Sequence, residues 1–134
     1  MEIVSGYERL PPAELDPWAE GLGEAICRCR ALVNRGEVWW VEHPEASRRP
    51  HLLLTRQAAI PVLAAYIAVP ATRTVRGIPT EVRLGADDGM PADCALSFDN
   101  IAVIPSAYFV ERITKLGPDR LTEVCRALAI ATGC

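Results

Sequence analysis

The sequence predicts a mainly β domain: a small barrel of short strands with one helix packed on it at the C-terminal end, preceded by a helical extension. Three observations carry this. Apolar and β-branched runs recur from residue 37 onward at a spacing of ~8–12 residues, the rhythm of small all-β domains. Turn-forming clusters separate them, most plainly Gly85 to Pro91 (GADDGMP). Helical periodicity is confined to the two ends of the chain, over residues 10–32 and 117–133.

Taken in order, Pro11 and Pro12 open the first helical stretch, where Leu15, Trp18, Leu22, Ala25 and Ile26 recur at spacings of three and four. Gly21 and Gly23 weaken it by up to ~1 kcal/mol each relative to alanine, so this helix needs a surface to dock on. The pattern changes at Asn34-Arg35-Gly36. Glu37 to Glu42 (EVWWVE) is β-branched and aromatic, as strands prefer. Trp39 and Trp40 fall on opposite faces of it, so one packs in the core. His51 to Thr55 (HLLLT), Leu63 to Val69 (LAAYIAV, ended by Pro70) and Thr80 to Leu84 (TEVRL) are the next three strands. Cys94 to Ile104 supplies a long strand or a bent pair, and Tyr108 to Ile113 the last strand. The closing helix has Gly117 as N-cap, Pro118 at the favoured first position and Asp119 against the helix dipole. Leu121, Val124, Cys125, Leu128 and Ala131 form its inner face, and Gly133 ends it.

Composition removes several function classes. At 134 residues the chain has room for one core. Its longest apolar run, Ala58 to Ala71, is interrupted by two prolines and falls short of the ~20 residues of a membrane span. The start, Met1-Glu2-Ile3-Val4, lacks the basic and apolar regions of a signal peptide, which points to the cytoplasm. Five scattered cysteines make no disulfide framework. Cys27-Arg-Cys29 is a poor metal pair, His43 and His51 lack partner spacing, and Asp87-Asp88-Gly89 reads as a turn, so neither a metal nor another cofactor is expected. Residues 1–32 hold six acids and three arginines, a net charge of −3; residues 33–134 hold eleven acids, ten arginines and Lys115, a net of zero. From Arg35 to Arg76 there are six arginines against three acids, and guanidinium groups suit bidentate phosphate contacts. A high-GC genome would enrich arginine equally well.

The chemistry-bearing residues cluster at strand ends. Arg48-Arg49-Pro50 precedes HLLLT, Thr72-Arg73-Thr74 follows the strand ending at Pro70, Arg76-Gly77 makes the next turn, and Ser97, Asp99 and Asn100 interrupt an apolar stretch. In a small barrel these ends can meet on one rim.

From Arg35 onward the chain resembles the MazF/PemK family of toxin endoribonucleases. The resemblance rests on RGEVWWV at Arg35–Val41, RRPHLLLTR at Arg48–Arg56, VPATRTVRGIPTEV at Val69–Val82, DN at Asp99–Asn100 and CRAL at Cys125–Leu128, all in the family's order. It implies an SH3-like barrel of the MazF/PemK/CcdB type acting as a homodimer. It further implies metal-independent cleavage of single-stranded RNA at a short motif, as the toxin of a type II toxin–antitoxin system. By the same resemblance Arg49 and Thr72 are the catalytic arginine and threonine, with Asp99 as the acid that takes a proton. Arg48, Arg73, Thr74, Arg76 and Asn100 are then RNA-binding neighbours. The expected partner is an antitoxin whose acidic, partly disordered segment folds into the arginine-lined groove, since carboxylates compete with phosphates for guanidinium forks.

The expected reaction is attack of a ribose 2′-OH on its own phosphate, with Arg49 meeting the growing charge and Thr72 donating to a non-bridging oxygen. Two positions bear on the match to the family: Ser97 stands two before the acid, where arginine or asparagine is frequent, and many members place a carboxylate upstream of the Arg-Pro pair, where Glu45 is near without a fixed offset. Arg49 is otherwise a surface residue on a strand edge, Thr72 a strand threonine and Asp99-Asn100 a turn. Two other functions fit the same architecture: a CcdB-like barrel that binds a protein such as gyrase without cleaving anything, and an inactive scaffold. Residues 33–134 form the toxin domain in this reading. Residues 1–32 are either upstream sequence annexed by a wrong start, with Val33 as the true one, or an acidic helix that covers the groove.

Overall fold

The computed structural model describes residues 33–134, so the helix read over residues 10–32 lies outside the described residues. Seven strands follow: β1 (Glu37–Val41), β2 (Arg49–Leu53), β3 (Ala65–Thr72), β4 (Glu81–Leu84), β5 (Cys94–Ser97), β6 (Ala102–Pro105) and β7 (Phe109–Lys115). The chain then enters helix α1 (Pro118–Thr132). Every pairing is antiparallel, in the order β4-β5-β3-β2-β1-β7, with β6 beside β3.

Strand β3 is the spine. One edge pairs with β2 over residues 68–70, and the other is divided between β6 over residues 65–68 and β5 at Ala71 and Thr72. The expected stretch from Cys94 to Ile104 is therefore the bent pair, broken by a 3₁₀ turn at Phe98–Asn100, which makes seven strands where the spacing suggested six. Register shifts beside Trp39 and Trp40 add twist to the β1–β7 pair. The curl brings β7 round to the loop after β4. No ladder joins β4 to β7 among the described residues. Instead the Thr114 hydroxyl donates to the Asp88 carbonyl at 2.8 Å, and a 3₁₀ turn at Ala86–Asp88 shapes that loop.

Alternation along the strands sends side chains to two cores. Val38, Leu52, Val69, Ala71, Val82 and Leu96 face α1 and meet Val124 and Ala127. Trp39, Val41, Leu53, Tyr66, Ala68 and Phe109 face the other way, with Val33 and Ile60. α1 starts with Gly117 as N-cap and Pro118 in its first turn, and ends at Gly133 with φ of 77°. Its inner face is shifted from the expected one: Ala127 is buried and Cys125 is exposed. The register of a short helix against a curved sheet decides this, and periodicity alone leaves both residues near the boundary.

One buried acid is fully employed. Glu37 accepts from the Asn34 backbone N–H and from the Trp39 indole, both at 2.9 Å, and pairs with Arg112 at 3.3 Å. It fixes the ring of Trp39 in the core, leaving Trp40 on the opposite face.

Candidate functional site

A cleft of about 580 Å³ opens where β2 begins, β3 ends and the β4–β5 loop returns. Arg48, Arg49 and Pro50 form one wall, and Thr72, Arg73 and Thr74 another. Antiparallel pairing produces this meeting. His51 lies opposite Pro70, so the start of β2 and the end of β3 must share one rim. The five expected residues Arg48, Arg49, Thr72, Arg73 and Thr74 are thus brought together from positions more than twenty apart in sequence.

The three arginines differ in availability. Arg48 is committed: it bonds Glu111 at 2.6 Å, lies 3.8 Å from Glu42, and stacks 4.7 Å from the centre of the Trp40 ring. Arg49 and Arg73 have no carboxylate partner among the described residues, and both are exposed. Thr72 accepts the Thr74 backbone N–H at 3.1 Å, which leaves its own hydroxyl hydrogen to donate. Two free guanidiniums and one oriented hydroxyl therefore face a single cavity.

Arg76, Asp99 and Asn100 do not line this cleft. The Phe98–Asn100 turn carries Asp99 to the start of β4, where it accepts the Thr80 hydroxyl at 2.7 Å. Asn100 donates to Ser97 at 2.8 Å, closing the same turn. Arg76 lies beside Glu81, whose carboxylate accepts the Arg76 and Gly77 backbone N–H groups at 2.9 and 3.1 Å and stands 4.0 Å from the guanidinium. These three belong to a second cluster that supports the loop from Arg73 to Thr80. No carboxylate lines the cleft among the described residues.

The cleft has a wall that sequence reasoning did not foresee: Met90 and Pro91 from the end of the GADDGMP loop, then Ala92 and Cys94, with Trp40 also lining it. Burial pushes the Cys94 thiol up from its ordinary range, against the opposing pull of Arg73. The only sequence signal for this wall was the length of GADDGMP, longer than a hairpin needs. Among the described residues no group of three or more metal-ligating side chains gathers, and no helix is long and apolar enough to cross a membrane.

The probable endoribonuclease MazF2 of Mycobacterium tuberculosis is 42% identical over 103 residues, covering 76% of this chain and all of that protein. The probable endoribonuclease MazF5 of the same organism is 40% identical over 105 residues, covering 78% of this chain and 96% of that one. A solved mycobacterial endoribonuclease in complex with its cognate antitoxin superposes with a TM-score of 0.69 at 27% identity, over 75% of this chain and 95% of its own. The family profile described as PemK-like, MazF-like toxin of type II toxin-antitoxin system matches residues 34–132. The chain belongs to that family.

Proposed function

We propose that this chain is the toxin of a type II toxin–antitoxin pair and cleaves single-stranded RNA in the cytoplasm, without a metal, at a short sequence motif. The observation that carries this is the meeting of Arg49 with Thr72 at one cleft, with Arg73 beside them and, among the described residues, no carboxylate neutralising either exposed guanidinium. A phosphodiester seated there meets an arginine fork and an oriented hydroxyl where the phosphorane's charge grows, and such preorganised donors act on the transition state. Attack by the neighbouring 2′-OH forms a 2′,3′-cyclic phosphate and releases a 5′-hydroxyl. The need for that hydroxyl restricts the reaction to RNA.

Asp99 was the expected proton acceptor, and its bond to Thr80 outside the cleft gives it no such position within one copy. A second copy can complete the site, since the resemblance implies a homodimer. Ile67 and Val103, paired in register on β3 and β6, stay exposed as an apolar patch. Residues 33–134 are proposed as the whole toxin unit. The relatives MazF2 and MazF5, each named a probable endoribonuclease, favour cleavage over the non-catalytic, gyrase-binding alternative.

Purified protein incubated with a long RNA in EDTA should produce discrete fragments sharing one motif at their ends. Intact RNA under those conditions, or unchanged cutting when the scissile nucleotide is 2′-deoxy, overturns the proposal.

A further inference from the structure

Strand β2 separates the cleft from a second pocket of about 270 Å³ that opens on the other core. Val41, Pro70 and Ile104 give it apolar walls, His43 and His51 line it, and it shares Ser47 and Arg49 with the cleft. Its volume is just under the ~300 Å³ at which small-molecule pockets begin, which suits one flat ring. Arg49 therefore stands on the ridge between the two cavities, and whatever the guanidinium holds by its phosphate has a neighbouring chamber within reach.

The two imidazoles present complementary edges. His51 Nδ1 lies 3.2 Å from the Arg49 carbonyl, which only accepts, so Nδ1 carries the hydrogen and Nε2 is left as an acceptor in the neutral ring. Burial lowers the His51 pKa and keeps that ring neutral. His43 Nδ1 accepts the Glu45 backbone N–H at 3.1 Å, which leaves Nε2 of His43 to donate. His43 also stacks edge-on against Tyr108, with centroids 5.3 Å apart. Among the described residues neither Nε2 has a hydrogen-bond partner.

We infer that this second pocket receives the nucleobase adjacent to the scissile phosphate and is one of the chain's sequence-reading sites, with His51 as acceptor and His43 as donor. The inference rests on the RNA-cleaving reading of the cleft. A base edge carries donors and acceptors side by side, and apolar walls favour its ring over water. The phosphate stays with Arg49 while the base turns into the chamber.

The test uses the full chain and a short RNA bearing the mapped cut motif, with one abasic nucleotide placed in turn at each position around the cut. With wild-type protein, one flanking position should lose about tenfold in kcat/KM, the size expected for a single base held by a protein. Ala46→Trp fills the pocket, of which Ala46 is part. In that variant the penalty at that one position should shrink below about twofold, while penalties elsewhere persist. His43→Ala, at an exposed residue, is read the same way should Ala46→Trp fail to fold. Wild-type protein that cuts intact RNA with no penalty at either flanking nucleotide overturns the inference, as does a penalty that the variants leave untouched. Wild-type protein that leaves intact RNA uncut overturns the cleavage reading itself and this inference with it.

Discussion

Arg48, Arg49 and Arg73 share one rim and have different duties. Arg48 is tied to Glu111 and Trp40, so it shapes the cleft, whereas Arg49 at its edge has no carboxylate partner among the described residues. Arg49→Ala should therefore abolish RNA cleavage, with far-UV circular dichroism and melting temperature unchanged, and retention of more than about a tenth of the wild-type rate would overturn its central role. Thr72→Ala should cost less, about 10²-fold in kcat, the usual effect of losing one oxyanion donor. His51 gives a second prediction at this scale. Its folded pKa is lowered by burial, so below the unfolded value of about 6.5 the unfolded chain binds a proton that the folded chain refuses. Stability should fall as pH drops below that value and level off above it. Denaturant midpoints between pH 5 and 8 for wild type and His51→Leu measure this, and the variant's profile should be flatter. An identical slope in both would assign the pH dependence to other groups.

At the scale of elements, the loop after β4 shows how a turn becomes a wall. Asp88 is held by Arg120 of α1 through two bonds of 2.9 and 3.3 Å, and its carbonyl by Thr114 of β7. Gly89 has φ of 88°, and a Cβ there would lie 2.5 Å from the Thr114 hydroxyl oxygen. Gly89→Ala should destabilise the fold by at least ~1 kcal/mol, from backbone strain plus collision, and this is read as a lower denaturant midpoint. It should also raise KM for RNA, because Met90 to Ala92 would move. Most elements were legible from alternation, β-branching and the glycine–proline signals around α1. Strand ends were less so: β2 begins at Arg49, ahead of the expected His51, because Arg49 and Pro50 lie opposite Val41 and Trp40 of β1. That pairing is a tertiary fact absent from local pattern. The same holds for the site. Arg49 and Thr72 came from a resemblance whose motifs are local, while the position of Asp99 outside the cleft follows from a turn that redirects the chain between two partners of β3.

For the whole molecule, charge governs partnership. The described domain is neutral overall but concentrates unpaired guanidiniums at one cleft, which suits phosphates and, in competition, carboxylates. An acidic antitoxin segment should block cleavage, and its affinity should fall steeply between low and high salt. Affinity indifferent to salt would mean that apolar contacts dominate. Residues 1–32 carry all of the net charge of −3. Removing them should leave cleavage unchanged if they are annexed sequence, and raise it if they cover the groove. Native mass spectrometry and paired rate measurements separate the two.

The junction between β7 and the loop after β4 has a further meaning for how the molecule breathes. The paired strands are joined by backbone ladders, but among the described residues a hydroxyl-to-carbonyl bond spans this gap, while Arg120 ties the same loop to α1. A seam stitched at so few points is where amide hydrogens should exchange with solvent first, ahead of β3 in the middle of the sheet. Because that seam borders the cleft wall, its opening would loosen the grip on a bound strand without unfolding the barrel.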